Sequence, residues 1–259
     1  MALARETTAS KAIEQSPDGF TRRSFIYKGM EAVACAMFGA LSLESKANPL
    51  HVFIEESGVF GGFGPFCIGA ILAKEPEVHL SHIRQLRLRH HYRSRLLYRS
   101  TDKFKRDFAG SVVSYFFRAP DLRFIARVIN KKNTNRESSR AAQEATYQQH
   151  YRKLILESAP RGYPLSLTLV NHSLGGTDGF LRAYLHDEIP GLISIQVARL
   201  RQNDLLQLAN LFAGSVSEGD VITNKVKLAP IRQLELSLGV GTLKAPLLWR
   251  KSKLKVRVV

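Results

Sequence analysis

The chain has 259 residues, of which 44% are hydrophobic, so it is long enough to bury a substantial core as one main domain with extensions. Its formal net charge of +16 is far from that of an average soluble enzyme and attracts polyanions, of which nucleic acid is the first to consider. Two cysteines, Cys35 and Cys67, exclude a disulfide framework and a cysteine zinc site. No stretch is long enough for a membrane-spanning helix.

Residues 1–49 form a predicted N-terminal extension with two interpretations. Residues 21–28 contain Arg22-Arg23 and resemble a twin-arginine export signal, followed by an uncharged, mildly apolar stretch from Ala32 to Leu43. The same residues also suit a packed amphipathic helix, because several apolar side chains recur on or near one face. The sequence favours a cytoplasmic location, with export as the alternative.

The first predicted strands follow this extension. An apolar run from Leu50 to Glu55 ends at Ser57-Gly58, and a second run from Phe66 to Ala73 comes after a glycine-rich segment at 61–65. Two strand-like runs separated by a glycine-rich turn predict an antiparallel β-hairpin.

Helices and strands then alternate along the chain. The predicted helices cover 80–95, 101–117, 141–157, 178–185 and 203–215, and the predicted strands cover 122–129, 165–170 and 192–197. Alternation after a hairpin predicts an α/β fold, a mixed sheet with helices on its faces, over residues 50–220. Residues 221–259 form a basic C-terminal extension, whose last residues alternate cations with apolar side chains and suit either a short edge strand or a disordered tail.

Two distant segments carry a family resemblance. Phe53-Ile54-Glu55-Glu56-Ser57-Gly58 and the segment 204–214, which contains Leu206-Gln207-Leu208-Ala209-Asn210, resemble the domain of unknown function 3800 family. Members of that family usually read Asp-Glu-Ser-Gly on the first strand and Leu-Gln-Leu-Ala-Asp on the closing helix. The resemblance implies an RNase H-like fold.

The same resemblance places four acidic positions of a nuclease site on this chain. They fall on Glu55, Arg95, Asn171 and Asn210, so three of the four acids are replaced. An RNase H-like nuclease holds two magnesium ions about 4 Å apart through several converging carboxylates. We therefore expect a catalytically degenerate protein with no metal site and no cofactor. The alternative is an active magnesium-dependent nuclease in which Glu56, Asp178 or Asp204 assists Glu55.

The cations are clustered, which predicts where a polyanion binds. The predicted nucleic-acid-binding residues are Arg84, Arg87, Arg89, Arg93, Arg95, Arg99, Lys103, Lys105, Lys131 and Lys132. His90, His91, Tyr92 and Tyr98 are interleaved with the arginines, a pattern that suits backbone contact with base stacking and favours RNA or single-stranded DNA over duplex. Two alternatives stay open. The arginines either solvate a helix face, or they belong to a protein-interaction subunit whose basic surface meets an acidic partner. In the favoured interpretation, the nucleic-acid-binding protein is itself a subunit of a larger assembly.

Overall fold

The structure is a computed structural model that describes residues 48–58, 66–97, 103–129, 139–170, 177–218, 234–237, 247–250 and 253–259. These residues belong to one compact unit. The predicted N-terminal extension, apart from its last two residues, lies outside them. Within the described ranges, no helix combines the length and the hydropathy needed to cross a bilayer.

Strands and helices alternate after an initial hairpin. The strands are Leu50–Ser57 (β1), Phe66–Ala73 (β2), Arg123–Ile129 (β3), Leu165–Val170 (β4), Leu192–Ala198 (β5), Leu247–Arg250 (β6) and Leu254–Val258 (β7). The helices are Pro76–Arg89 (α1), Lys103–Arg118 (α2), Arg140–Leu156 (α3), Thr177–Glu188 (α4) and Asp204–Glu218 (α5), with a 3-10 turn at Leu200–Gln202 before α5. From β1 to α5 the order of strands and helices agrees with the order predicted from the sequence, whereas β6 was not predicted.

In the described part of the chain, seven strands form one mixed sheet in the order β5-β4-β1-β2-β3-β7-β6. β1, β2 and β3 are a three-stranded antiparallel meander. β4 runs parallel to β1, and β5 runs parallel to β4 after the crossover helix α4. A meander extended on one side by parallel strands is the arrangement of an RNase H-like sheet, so the predicted fold class is confirmed.

Helices cover both faces of the sheet and enclose two cores. Successive residues of a strand point to opposite faces, so Phe53 belongs to the core beneath α1, α2 and α5, whereas Val52 and Ile54 belong to the core beneath α3 and α4. Phe116 and Phe212 meet edge to face in the first core, with ring centroids 4.8 Å apart. The fold is therefore a three-layer α/β/α arrangement.

Helix α1 begins and ends earlier than the predicted range of 80–95. It starts at Pro76, whose fixed φ suits the first helical turn. It ends because His91 adopts a left-handed conformation with φ 50°. The backbone N–H of Tyr92 then donates to the Arg87 carbonyl at 2.8 Å, and that of His91 donates to the Leu88 carbonyl at 3.1 Å. These bonds form a Schellman motif, which turns the chain out of the helix into the segment that carries Arg93 and Arg95.

The end of the chain forms a strand, as one of the two interpretations predicted. That strand, β7, pairs with β3 on one side and with β6 on the other, so it lies second from the edge rather than at the edge. Its Lys255 is buried, and Lys255 Nζ lies 2.9 Å from Glu157 Oε2 beside α3. One cation of the predicted basic face, Lys255, is thus part of an internal ion pair with Glu157.

Candidate functional site: the Glu55 site and an arginine cleft

Glu55 and Asn210, which come from the two segments of the family resemblance, lie in direct contact. Asn210 Nδ2 donates to Glu55 Oε1 at 3.0 Å and lies 3.3 Å from the Glu56 carbonyl. The other carboxylate oxygen, Oε2, accepts the backbone N–H of Glu56 at 2.6 Å. Glu55 is only 2% exposed. Both oxygens of this buried carboxylate therefore accept N–H hydrogen bonds from the protein.

A glycine on the neighbouring strand permits this contact. Gly69 is the register partner of Glu55 on β2. A Cβ at Gly69 would lie 2.9 Å from Ala213 Cβ on α5 and 2.9 Å from the Phe124 ring. Both distances are shorter than van der Waals contact, so glycine at this position lets α5 pack close to the sheet beside Asn210.

Glu56 cannot assist Glu55, because it points to the opposite face of β1. Its carboxylate accepts hydrogen bonds from the hydroxyls of Tyr147 and Tyr151 on α3. Burial, followed by the nearby charge of Glu56, raises the pKa of Tyr151 well above its usual range. Glu56 thus connects α3 to β1 through hydrogen bonds. It is the first of the three acids that the nuclease alternative placed beside Glu55, and it does not lie there.

Asp204, the second assisting acid, forms an ion pair with Arg87. It lies in the first turn of α5, where its Oδ1 accepts from Arg87 Nη2 at 2.6 Å and from Arg87 Nε at 2.9 Å. The side chain of Asp178, the third assisting acid, lies outside the described residues, as does Asn171. Within the described ranges, no group of three His, Cys, Asp or Glu side chains converges as a metal site would require. The described donors around Glu55 do not fit a magnesium pair, since an amide N–H, rather than an oxygen, faces its carboxylate.

A basic cleft opens beside the N-terminal end of α5. Its volume is about 740 Å³, and its lining includes Arg87, Arg93, Ser94, Arg95, Leu97, Arg201, Gln202, Asp204 and Gln207. Three of these, Arg87, Arg93 and Arg95, were predicted to bind nucleic acid. Among the described residues of this lining, Asp204 is the single acid, and the guanidinium of Arg87 matches its charge. Arg93, Arg95 and Arg201 therefore give the cleft its positive charge.

Gln207 joins the walls of this cleft. It is 1% exposed, and its Oε1 accepts from the backbone N–H of Leu96 at 2.6 Å and from Arg87 Nη2 at 2.9 Å. Its Nε2 lies 3.4 Å from the Arg201 carbonyl. A buried side chain thus ties the arginine-bearing segment 92–97 and the turn before α5 to the same helix. Gln207 stands three residues before Asn210, so the cleft and the Glu55 contact lie about one helical turn apart.

The remaining predicted binding residues lie in other places. Arg84 and Arg89 are exposed on α1 and do not line the cleft. Arg99, Lys131 and Lys132 lie outside the described residues, and so do the side chains of Lys103 and Lys105. Among the residues of the cleft that sequence reasoning missed, Arg201 supplies charge and Gln207 joins the walls. Gln207 stood inside the family motif without a role, and the only signal for Arg201 was its position just before a predicted helix.

Comparison with known proteins shows a similarity of fold alone between this chain and solved structures. No protein-family model matches the chain, and no curated protein matches it. Ribonuclease H2 from Pyrococcus horikoshii matches with 9% identity and a TM-score of 0.48, over 73% of this chain and 77% of that one. A chain of the PCNA:RNase HII complex from Archaeoglobus fulgidus matches with 14% identity and a TM-score of 0.46, over 76% of this chain and 83% of that one. Bst-RNase HIII in complex with Mn²⁺ matches with 13% identity and a TM-score of 0.35, over 75% of this chain and 56% of that one. No residue role is carried over from these structures.

Proposed function

We propose that this protein is a divergent member of the domain of unknown function 3800 family that binds nucleic acid without cleaving it. The contact between Glu55 and Asn210 supports the family assignment, because it joins the two segments on which the resemblance rests. The same contact supports the loss of catalysis. Where the family has a second carboxylate, Asn210 offers a neutral amide that donates to the first.

The arginine cleft is the observation that carries nucleic-acid binding. Arg93 and Arg201 are exposed and Arg95 is half-buried, and all three line an open cleft. Guanidinium groups match phosphate geometry and attract polyanions. The overall charge of +16 adds a long-range attraction that guides a polyanion toward the protein.

The test combines cleavage and binding on the full chain. RNA, DNA and RNA–DNA hybrids should stay intact after incubation with the purified protein in magnesium or manganese. The same substrates should bind at low salt, and log affinity should fall linearly with log salt. Cleavage that disappears in Glu55→Gln would establish the nuclease alternative. Absence of binding at low salt would favour an acidic protein partner.

A double variant locates the binding surface. Arg93→Gln with Arg201→Gln removes two cations from the cleft. Arg118→Gln with Arg161→Gln is the matched control, because both side chains are exposed, neither lines the cleft, and the change in net charge is the same. The cleft variant should make the salt slope shallower by about 0.7 to 0.9 for each lost phosphate contact, and the control should change it much less. Equal losses in the two variants would move the binding surface away from the cleft.

A further inference from the structure

The segment that carries Arg93 and Arg95 is held in a defined shape by contacts within the protein. Arg87 Nη1 donates to the Ser94 carbonyl at 2.6 Å, and the Tyr92 hydroxyl donates to the Arg95 carbonyl. The backbone N–H of Leu96 is bound by Gln207. Contacts at four neighbouring residues, Tyr92, Ser94, Arg95 and Leu96, thus fix the backbone from which the two arginines project. Their guanidinium groups are presented by a preorganised wall rather than by a free loop.

Two of the four aromatic residues that the sequence pattern assigned to base stacking, His90 and Tyr92, pack against another ring of the protein. Tyr92 is only 8% exposed, and its ring stacks on Phe108 with centroids 4.4 Å apart. The ring of His90 meets Phe108 edge to face, and His90 Nε2 lies 2.9 Å from Ser111 Oγ on α2. His91 is exposed but does not line the cleft. Tyr98 lies outside the described residues.

The lining of the cleft contains guanidinium, amide, hydroxyl and carboxylate groups with one aliphatic side chain, Leu97, and no aromatic ring among the described residues. Base recognition on a single strand depends on flat aromatic surfaces, whereas phosphate recognition depends on cations and N–H donors. The volume of the cleft, about 740 Å³, lies within the size range of ligand-binding sites in proteins.

We propose that this cleft binds the sugar–phosphate backbone and stacks no base, so that recognition is independent of base identity and of the presence of bases. The inference rests on the proposed function and narrows its ligand to the phosphodiester chain itself. Arg93 contacts the phosphates from the segment 92–97 and Arg201 from the turn before α5, and Gln207 positions both through its bonds to Leu96 and Arg201.

The experiment compares two labelled oligomers of equal length in fluorescence anisotropy at fixed low salt. One is a mixed-sequence single-stranded DNA, and the other is an abasic phosphodiester chain with a tetrahydrofuran unit in place of every nucleoside. The two oligomers differ in backbone flexibility, and a second pair of oligomers of half the length measures this contribution. After correction for it, the dissociation constants of the DNA and the abasic chain should agree within about two-fold. Stacking of even one base would make the abasic oligomer about 5-fold to 150-fold weaker. The cleft variant Arg93→Gln with Arg201→Gln should weaken both oligomers by the same factor.

The outcomes separate this inference from the proposed function. Tight binding of the DNA with much weaker binding of the abasic chain would overturn base independence and leave nucleic-acid binding intact, with Tyr98 as the first side chain to test for stacking. Binding of neither oligomer would defeat the proposed function itself. Equal binding that the cleft variant leaves unchanged would also overturn the inference, because the backbone contact would then lie on another surface.

Discussion

Asn210 Nδ2 donates to Glu55 Oε1 at 3.0 Å, although the two residues are 155 positions apart in sequence. The pair lies at the junction of β1 and α5, where Glu55 is almost completely buried. A buried carboxylate without hydrogen bonds is costly, so these N–H donors let the protein keep Glu55 in its core. In this structure Glu55 acts as a hydrogen-bond acceptor that anchors α5 to β1.

The first prediction exchanges the two groups. Glu55→Gln places an amide opposite another amide, and Asn210→Asp places two carboxylates in contact, so each single variant should lose about 1–3 kcal/mol of unfolding free energy. The double variant keeps one carboxylate and one amide and should recover at least about 1 kcal/mol relative to the sum of the two losses. Urea unfolding of the four proteins measures this coupling. A stability unchanged by Glu55→Gln would contradict the anchoring role.

The second prediction concerns Gln207. Gln207→Leu leaves the backbone N–H of Leu96 and a guanidinium N–H of Arg87 without this acceptor, so we expect a loss of about 2–4 kcal/mol. Gln207→Glu keeps an oxygen at that place and should lose less. At temperatures where Gln207→Leu is folded by circular dichroism, it should also bind nucleic acid more weakly than the wild type, with no change in net charge. Binding equal to that of the wild type would show that the cleft walls do not depend on Gln207.

A third prediction tests the close packing of α5 on the sheet. Gly69→Ala forces a methyl group to within 2.9 Å of Ala213 Cβ and should cost about 1–3 kcal/mol, because both backbones are held by regular structure. Gly110→Ala is the matched control, since a Cβ there meets nothing within 4 Å in the middle of α2. It should raise stability by about 0.5–1 kcal/mol. Thermal unfolding of both variants measures these changes in stability. A Gly69→Ala variant as stable as the wild type would argue against so close an approach of α5 to the sheet.

The fourth prediction concerns pH. Glu157 lies 2.7 Å from Arg127 Nη1 and 2.9 Å from Lys255 Nζ. Burial alone would raise the pKa of Glu157, but the Lys255 hydrogen bond and the surrounding positive charges outweigh it and hold the pKa below its ordinary value of 4.5. A lowered pKa means that the stabilisation is complete above the ordinary value and is lost as pH falls through the folded value.

Two consequences of the Glu157 cluster can be measured. Glu157→Gln should cost about 1–3 kcal/mol at pH 7, because the nearly buried Arg127 loses its carboxylate partner while Glu157 itself is partly solvated. Between roughly pH 5 and pH 3, the wild type should lose more stability than Glu157→Gln. Parallel pH profiles of the two proteins would show that Glu157 does not contribute to acid unfolding.

The sequence was sufficient for the features that depend on local pattern. The hairpin, the alternation of helices and strands, and the buried face of α5 follow from apolar periodicity, and the structure shows them near the predicted bounds. The opposite orientation of Glu55 and Glu56 also follows from strand alternation. The sequence alone was therefore enough to exclude Glu56 as an assisting acid in the nuclease alternative.

Other features depend on distant contacts or on a single backbone conformation. The end of α1 depends on His91 in a left-handed conformation, which histidine adopts only occasionally and which periodicity does not reveal. The role of Gln207 depends on Leu96, 111 residues earlier in the chain. Tyr92 resembled a stacking residue because it lies among arginines, but packing against Phe108 decided its position.

The proposed loss of catalysis requires that Asn210 stand where the domain of unknown function 3800 family has a metal-coordinating carboxylate beside Glu55, and manganese-dependent thermal unfolding tests this proposal. The melting temperature of the wild type should be the same in manganese and in EDTA at matched ionic strength, whereas Asn210→Asp restores a second carboxylate and should be stabilised by manganese. A ligand at 100 times its dissociation constant adds about 2.7 kcal/mol, or about 5–10 °C for a chain of this size. A manganese-dependent rise of that size in the wild type, abolished by Glu55→Gln, would contradict the claim.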